Sequence, residues 1–339
     1  QDYGLIALRT GLYGLTVAAV IRFLLHGEEG ARARAWAAAI AIAVCLVHLP
    51  RAIAVRPHLI TYLLIPVFLC VLEHHPRRAP WLALLTVLWV NLHGVAYPVM
   101  LLICVAYALD DLVAAAPGGA GARPWGWARV GAAALASLAV FATPHGAELL
   151  RVPFRPTGAA SQYIQELMPV TWLDLLSFQI TMMTPSIPTL FNLLLLATCV
   201  SALLALGKRP WRLSHLILGV GAVALLAKGV RFRNEFVLLA LPLLKANPLF
   251  PSSGLTRSLP KPLYLVGTGL LMLLPLRLLV SNFHNRPAYP ASHRGLPYGV
   301  TTFLNHVNTG GDVLNHPNAG GYLQWRLSPR YRIFMDMEV

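Results

Sequence analysis

Residues 81–109 read WLALLTVLWVNLHGVAYPVMLLICVAYAL, twenty-nine positions without a Lys, Arg, Asp or Glu. A bilayer's hydrocarbon core is about 30 Å thick and takes about 20 residues of helix to cross. The stretch therefore reads as membrane-embedded helix, interrupted only by Asn91-Leu92-His93-Gly94. That interruption predicts either two short helices around a tight turn or one kinked helix. Outward from it, apolar runs bounded by charges or by Pro and Gly recur at 5–25, 35–49, 58–72, 128–142, 189–206, 213–230, 236–250 and 263–280. With 81–90 and 95–109 they make ten segments, several of them short.

The composition of the 339 residues agrees: 57% are hydrophobic and 12% charged, with a mean hydropathy of +0.62. A soluble domain is nearer a quarter charged, so this chain has too little charge to cover a water-facing surface. The expected fold class is an all-α polytopic membrane protein of about ten transmembrane segments, followed by the start of a small α/β domain. The boundary falls at 280: residues 1–280 form the helical membrane domain and 281–339 the partial polar one. In that tail, 299–306 and 320–327 read as helices, and 312–314 and 332–335 as strands.

The net charge is +14, from 27 Lys and Arg against 13 Asp and Glu. The cations are scattered through short loops and gather on no single face, which argues against nucleic acid and for loops anchored beside membrane lipids. One alternate set of loops holds twelve Lys and Arg, among them Arg77, Arg78 and Lys245; the other, counted before the tail, holds six, among them Arg56, Arg151, Arg231 and Arg233. Cytoplasmic loops carry the excess, so the second set, the long 143–188 loop and the tail belong on the outer, periplasm-like side. Cys45, Cys70, Cys104 and Cys199 lie in apolar runs without metal-like spacing and read as packing residues. No signal peptide is visible ahead of the first run, and the last residues read as the middle of a strand, so the chain is expected to be part of a longer protein.

Polar groups at membrane depth are costly, which makes each a candidate for function. His93 and Asn91 break the apolar run described above, beside Gly94; they either handle a ligand or satisfy a helix end. Thr143-Pro144-His145-Gly146 opens the long outer loop, where Gln165, Glu166 and Asp174 follow. A carboxylate there can orient a hydroxyl or act as a general base, or simply be solvated. Lys228, Arg231 and Arg233 precede the 236–250 run, and Arg56 is on the same expected side. Such cations suit a phosphate or pyrophosphate group, with snorkelling at a helix end as the plainer reading. Asn315 to Trp325 combines Asn, Pro and paired Gly in a loop that runs into a helix. There is no GxGxxG, P-loop, GxSxG or HExxH motif, and the His residues lack ligand spacing, so nucleotide-binding, serine-hydrolase and zinc readings have no support and no cofactor is identified.

Arg56-Pro57-His58, the Trp89–Gly94 stretch, Thr143–Gly146, Gln165-Glu166, Arg231–Arg233 and the tail from Leu314 to Asp336 resemble a group of large bacterial polytopic proteins with a GT-C glycosyltransferase-like fold. The resemblance spans almost the whole chain on short motifs. It implies a multi-pass protein of the bacterial inner membrane, with its C-terminal domain in the periplasm. The implied activity moves a sugar from a polyprenyl-phosphate carrier to an acceptor at the periplasmic face. It places the catalytic carboxylate in the first outer loop, ahead of Gln1, and leaves His93 and Glu166 as catalytic candidates. Arg56, Asn91, Lys228, Arg231 and Arg233 become the substrate-binding candidates, and a divalent metal has no support in this sequence. The chain departs from the group's pattern at Leu167, at Thr143 and His145, and at Met337-Glu338. The alternatives are a non-catalytic scaffold for protein partners in a membrane complex, or a transporter of a lipid-linked precursor.

Overall fold

The structure is a computed structural model that describes residues 2–28, 31–52, 56–116, 121, 123–154, 169–171, 173, 188–207, 212–249, 296–316 and 319–334. It is mostly helical. The chain divides into two compact units, Leu5–Leu278 and Leu279–Val339, the latter with Gln1–Gly4.

In the larger unit the helices are α1 (Asp2–Leu25), α2 (Ala31–Ala52), α3 (His58–His74), α4 (Leu82–His93), α5 (Tyr97–Ala115), α6 (Gly126–Ala139), α7 (Pro188–Leu206), α8 (Leu213–Lys228), α9 (Arg233–Leu239) and α10 (Leu241–Ala246). Among the described residues three helical stretches are long and apolar enough to cross a membrane: Gly4–Leu25, Ala33–Ala52 and Pro76–Ala115. His58–His74, Leu190–Leu206 and Leu213–Lys228 are apolar but shorter. At 1.5 Å per residue the 17 residues of α3 reach only about 26 Å. The tenth apolar run, 263–280, lies outside the described residues.

Residues 81–109 form two helices separated by one 3-10 turn, Gly94–Ala96. The break is at His93, whose φ of −150° and ψ of 66° leave the helical region. Gly94 is needed there for close approach: a Cβ would lie 2.9 Å from Leu149 Cδ1, in the 3-10 helix Gly146–Phe154. Residues 236–250, expected as one segment, instead form α9 and α10. Pro242 has no N–H to donate back along the helix and marks the division. From Arg233 to Leu244 every residue is buried, so this pair is the centre of the bundle and its polar start is carried inside.

The burial pattern suits helices that face lipid. Leu8, Leu15, Leu84, Leu88, Leu138, Leu193 and Leu203 are exposed, while Asp110, Asp111, Arg129, His48, His215, Arg233 and Glu235 are buried. Soluble domains arrange these classes the other way round. Small residues allow close helix contact: a Cβ at Gly221 of α8 would collide with Leu102 of α5.

One end of the bundle is tied by buried ions. Arg129 of α6 forms a two-pronged pair with Asp111 of α5 and donates to the Leu72 carbonyl of α3 at 3.0 Å. Asp110 pairs with Arg123 and accepts from Leu213 N at 2.9 Å and Ser214 Oγ at 3.0 Å. A carboxylate thus sits on the N-terminus of α8, where the helix dipole favours it. Arg212 donates to both oxygens of Glu73, and His215 lies 3.3 Å from the same carboxylate.

In the smaller unit, α11 (Tyr298–Val307) and α12 (Gly320–Leu327) accompany β1 (Gly311–Val313) and β2 (Tyr331–Ile333). The strands pair in parallel with Asp312 opposite Arg332, each starting one residue earlier than the sequence pattern indicates. Leu323, Leu327 and Tyr331 form a small core against Leu304, Val313 and Ile333, and the Tyr331 hydroxyl donates to the Leu304 carbonyl at 2.8 Å.

Candidate functional site

At the end of the bundle opposite the ion clamp, the starts of α3 and α9 meet the ends of α2 and α4. Thr61, one turn into α3, is fully buried. Its hydroxyl accepts from Trp89 Nε1 at 2.8 Å and is 2.7 Å from His93 Nδ1. A hydroxyl has one hydrogen to give and two lone pairs, so Thr61 can donate to the ring while accepting from the indole. In that arrangement a neutral His93 carries its hydrogen on Nε2. The non-helical backbone at His93 thus ends the apolar run while its ring is held in place by α3. His93 is within electrostatic reach of Arg231.

A second set of groups surrounds Tyr62. Its ring lies 5.0 Å from that of His58 and 5.1 Å, edge-on, from that of His48 in α2. Its hydroxyl accepts from Asn234 Nδ2 at 3.1 Å. Glu235, next in sequence, is buried at the start of the central helix, with Arg51, Arg231 and Arg233 close enough to act on its charge. His48 Nε2, Asn234 Oδ1 and Glu235 Oε2 are buried and make no hydrogen bond among the described residues. A buried polar atom left without a partner costs about 1–3 kcal/mol, and such atoms concentrate where a protein does chemistry or binds ligand.

Arg56, His93 and Arg231 therefore share one neighbourhood, linked through His58, which is influenced by both Arg56 and His93. Arg233 joins it through Tyr62 and Glu235. Two candidates are engaged in other ways. The exposed Asn91 gives its amide to the Val87 and Ala142 carbonyls, both at 2.8 Å, which ties α4 to the chain beyond α6. Lys228 donates to the Pro153 carbonyl at 2.8 Å and lies over the Phe154 ring. His145 is exposed in a turn, its backbone N–H donating to Thr143 Oγ1. Gln165, Glu166 and Asp174 lie outside the described residues. Among the described residues no three His, Cys, Asp or Glu side chains are grouped to hold a metal ion.

His48, Thr61, Tyr62 and Glu235 were not singled out by the sequence pattern. His48 and Glu235 carried a usable signal, a polar group within or against an apolar run; Thr61 and Tyr62 blend into theirs. What this end can do chemically follows from its charge. Arg51, Arg56, Arg231 and Arg233 outnumber the buried Glu235, and imidazole, amide and phenol groups stand among them, a set suited to an anion bearing hydroxyl groups. No family model, curated protein or solved structure matches the chain.

Proposed function

We propose that the chain is a GT-C-like integral membrane glycosyltransferase that moves a sugar from a polyprenyl-phosphate carrier to an acceptor at the periplasmic face of a bacterial inner membrane. On this reading about ten segments cross the bilayer and the tail opens a periplasmic α/β domain. The observation that carries the proposal is the gathering of Arg51, Arg231 and Arg233 about the buried Glu235 at one end of the bundle, with His93 beside Arg231 and Arg56 beside His58.

The chemistry follows from charge. As the glycosidic bond to phosphate breaks, negative charge builds on the departing phosphate, and fixed guanidinium groups stabilise it more than they stabilise the intact donor. Arg231 and Arg233 fill that role, with Arg56 beside them and Lys228 nearby in sequence. His93, held by Thr61, positions sugar or acceptor, and Glu166 shares that task. The acceptor proton passes to a carboxylate that the resemblance places ahead of Gln1.

The test is transfer from a polyprenyl-phosphate sugar in membranes carrying Arg231→Ala or Arg233→Ala. A hydrogen bond to a charged group contributes about 1.5–3 kcal/mol, so each variant should lose roughly 10- to 100-fold in rate. Wild-type transfer by both variants would refute the reading. Uptake of the intact carrier without cleavage would instead favour a transporter.

A further inference from the structure

A second cationic neighbourhood lies at the clamp end of the bundle, away from the site above. Thr61 and His74 are both on α3, thirteen positions and so about 20 Å apart along its axis. A cavity of about 430 Å³ opens there, lined by His74, His75, Pro76, Arg77, Arg78 and Trp125. Arg77 and Arg78 belong to the 3-10 helix Pro76–Trp81, and both are exposed. The Arg77 guanidinium stacks 4.4 Å from the Trp125 ring centroid. No carboxylate of the described residues pairs with either arginine. Glu73, the nearest acid in sequence, is engaged by Arg212 and His215.

More basic side chains stand behind the cavity. The His26 ring lies 4.3 Å from that of His74 and 5.4 Å from that of His75, and Lys245 Nζ is 3.4 Å from His74 Nε2. Arg22 contacts His75 Nε2 at 3.3 Å. Since arginine can only donate, that nitrogen accepts, and the neutral ring keeps its hydrogen on Nδ1 as a donor for something else. Burial, with His26, Arg22 and Arg78 nearby, pushes the pKa of His75 down, while Glu28 stands 4.0 Å from Lys245 Nζ. Trp81, Trp125 and Trp127 are all exposed, as tryptophans at a membrane–water interface commonly are.

We propose that this cavity binds a phosphate group, carried by an anionic lipid headgroup or by a small soluble phosphate. Two adjacent guanidinium groups and an imidazole N–H offer donors from several directions to a tetrahedral anion, and Trp125 holds Arg77 in position. The volume exceeds that of a bare ion and accommodates a headgroup. The site is independent of the glycosyltransferase reading.

The experiment measures lipid retention by native mass spectrometry on the full chain released from detergent, with phosphatidylglycerol and phosphatidylcholine in competition. Phosphatidylglycerol should be retained preferentially. A cation near an anionic lipid surface contributes roughly fivefold in binding, so Arg77→Ala/Arg78→Ala should lower that preference roughly 30-fold. Arg151→Ala, an exposed arginine outside the cavity, should leave it unchanged. A second arm titrates inorganic phosphate and follows the Trp125 contribution to fluorescence, the difference between wild type and Trp125→Phe. A phosphate response without lipid preference assigns the soluble source; lipid preference without that response assigns the headgroup. Equal retention of both lipids by the wild type, with no phosphate response, overturns the proposal. So does a double variant that behaves as the wild type in both arms.

Discussion

Thr61 joins side chains that are 28 and 32 positions away in sequence, the Trp89 indole and the His93 ring. Both Thr61 and Trp89 are fully buried, so the indole N–H has no water to fall back on. Thr61→Val keeps the shape and removes the hydroxyl. It should cost about 1–3 kcal/mol, read as a lowered unfolding midpoint in detergent, whereas Thr61→Ser should restore most of the loss. Wild-type stability in the Val variant would show that the indole finds another acceptor. The Trp89 to Gly94 stretch was visible in the sequence as an interruption, because polar residues in an apolar run stand out. Its partner was not: a threonine is tolerated in such a run, and nothing local to 58–72 points to a residue some thirty positions on. Glu235 was hidden for a related reason. Among Lys228, Arg231 and Arg233 it reads as a helix-end charge, and only the burial of α9 on every side turns it into an interior group.

At the scale of elements, the helices of the larger unit follow the apolar runs closely because a run long enough for lipid leaves the backbone few other ways to satisfy its N–H and C=O groups. Among the described residues the 236–250 run divides at Pro242, where the missing N–H interrupts an otherwise continuous pattern. What periodicity could not supply was how the helices are tied together. In sequence Asp110 and Asp111 simply follow the 95–109 run, and Arg123, Arg129 and Arg212 count among the twelve loop cations. In three dimensions they converge, and Asp111 and Arg129 are both buried. Breaking a buried pair by removing one partner costs about 3–5 kcal/mol, because the survivor keeps an uncompensated charge; replacing both with apolar groups of similar size can be neutral. Asp111→Leu and Arg129→Met should therefore each destabilise the bundle strongly, and the double variant should be more stable than either. A double variant as unstable as the two losses added together would mean that the pair does not act as a unit. The Arg129 contact with the Leu72 carbonyl is lost in Arg129→Met as well, so some residual cost remains in the double variant.

For the whole molecule, the governing feature is that polar chemistry sits at the two ends of an apolar bundle. Arg56, His93, Arg231 and Glu235 gather at one end, and Arg77, Arg78 and the Asp110 clamp at the other. The twelve-to-six division of loop cations was legible by counting alone, and it makes a directional prediction: the Arg77 end faces the cytoplasm and the Arg231 end faces outward. Single cysteines test it. Cys45, Cys70 and Cys104 are buried and Cys199 partly so, and replacing all four with Ala or Ser gives a background without native thiols. In that background Arg78→Cys and Arg151→Cys place thiols at exposed positions of opposite ends. A membrane-impermeant thiol reagent applied to intact cells should label Arg151→Cys and spare Arg78→Cys, and permeabilisation should then expose the latter. The reverse labelling would invert the orientation, moving the Arg231 cluster to the cytoplasmic face, where a periplasmic transfer reaction could not use it. Labelling of both from outside would deny that the bundle spans the bilayer between them. The count of positive residues predicts neither outcome, because the loops on the Arg231 side hold six cations before the tail against twelve on the Arg77 side, and the richer side is the one retained in the cytoplasm.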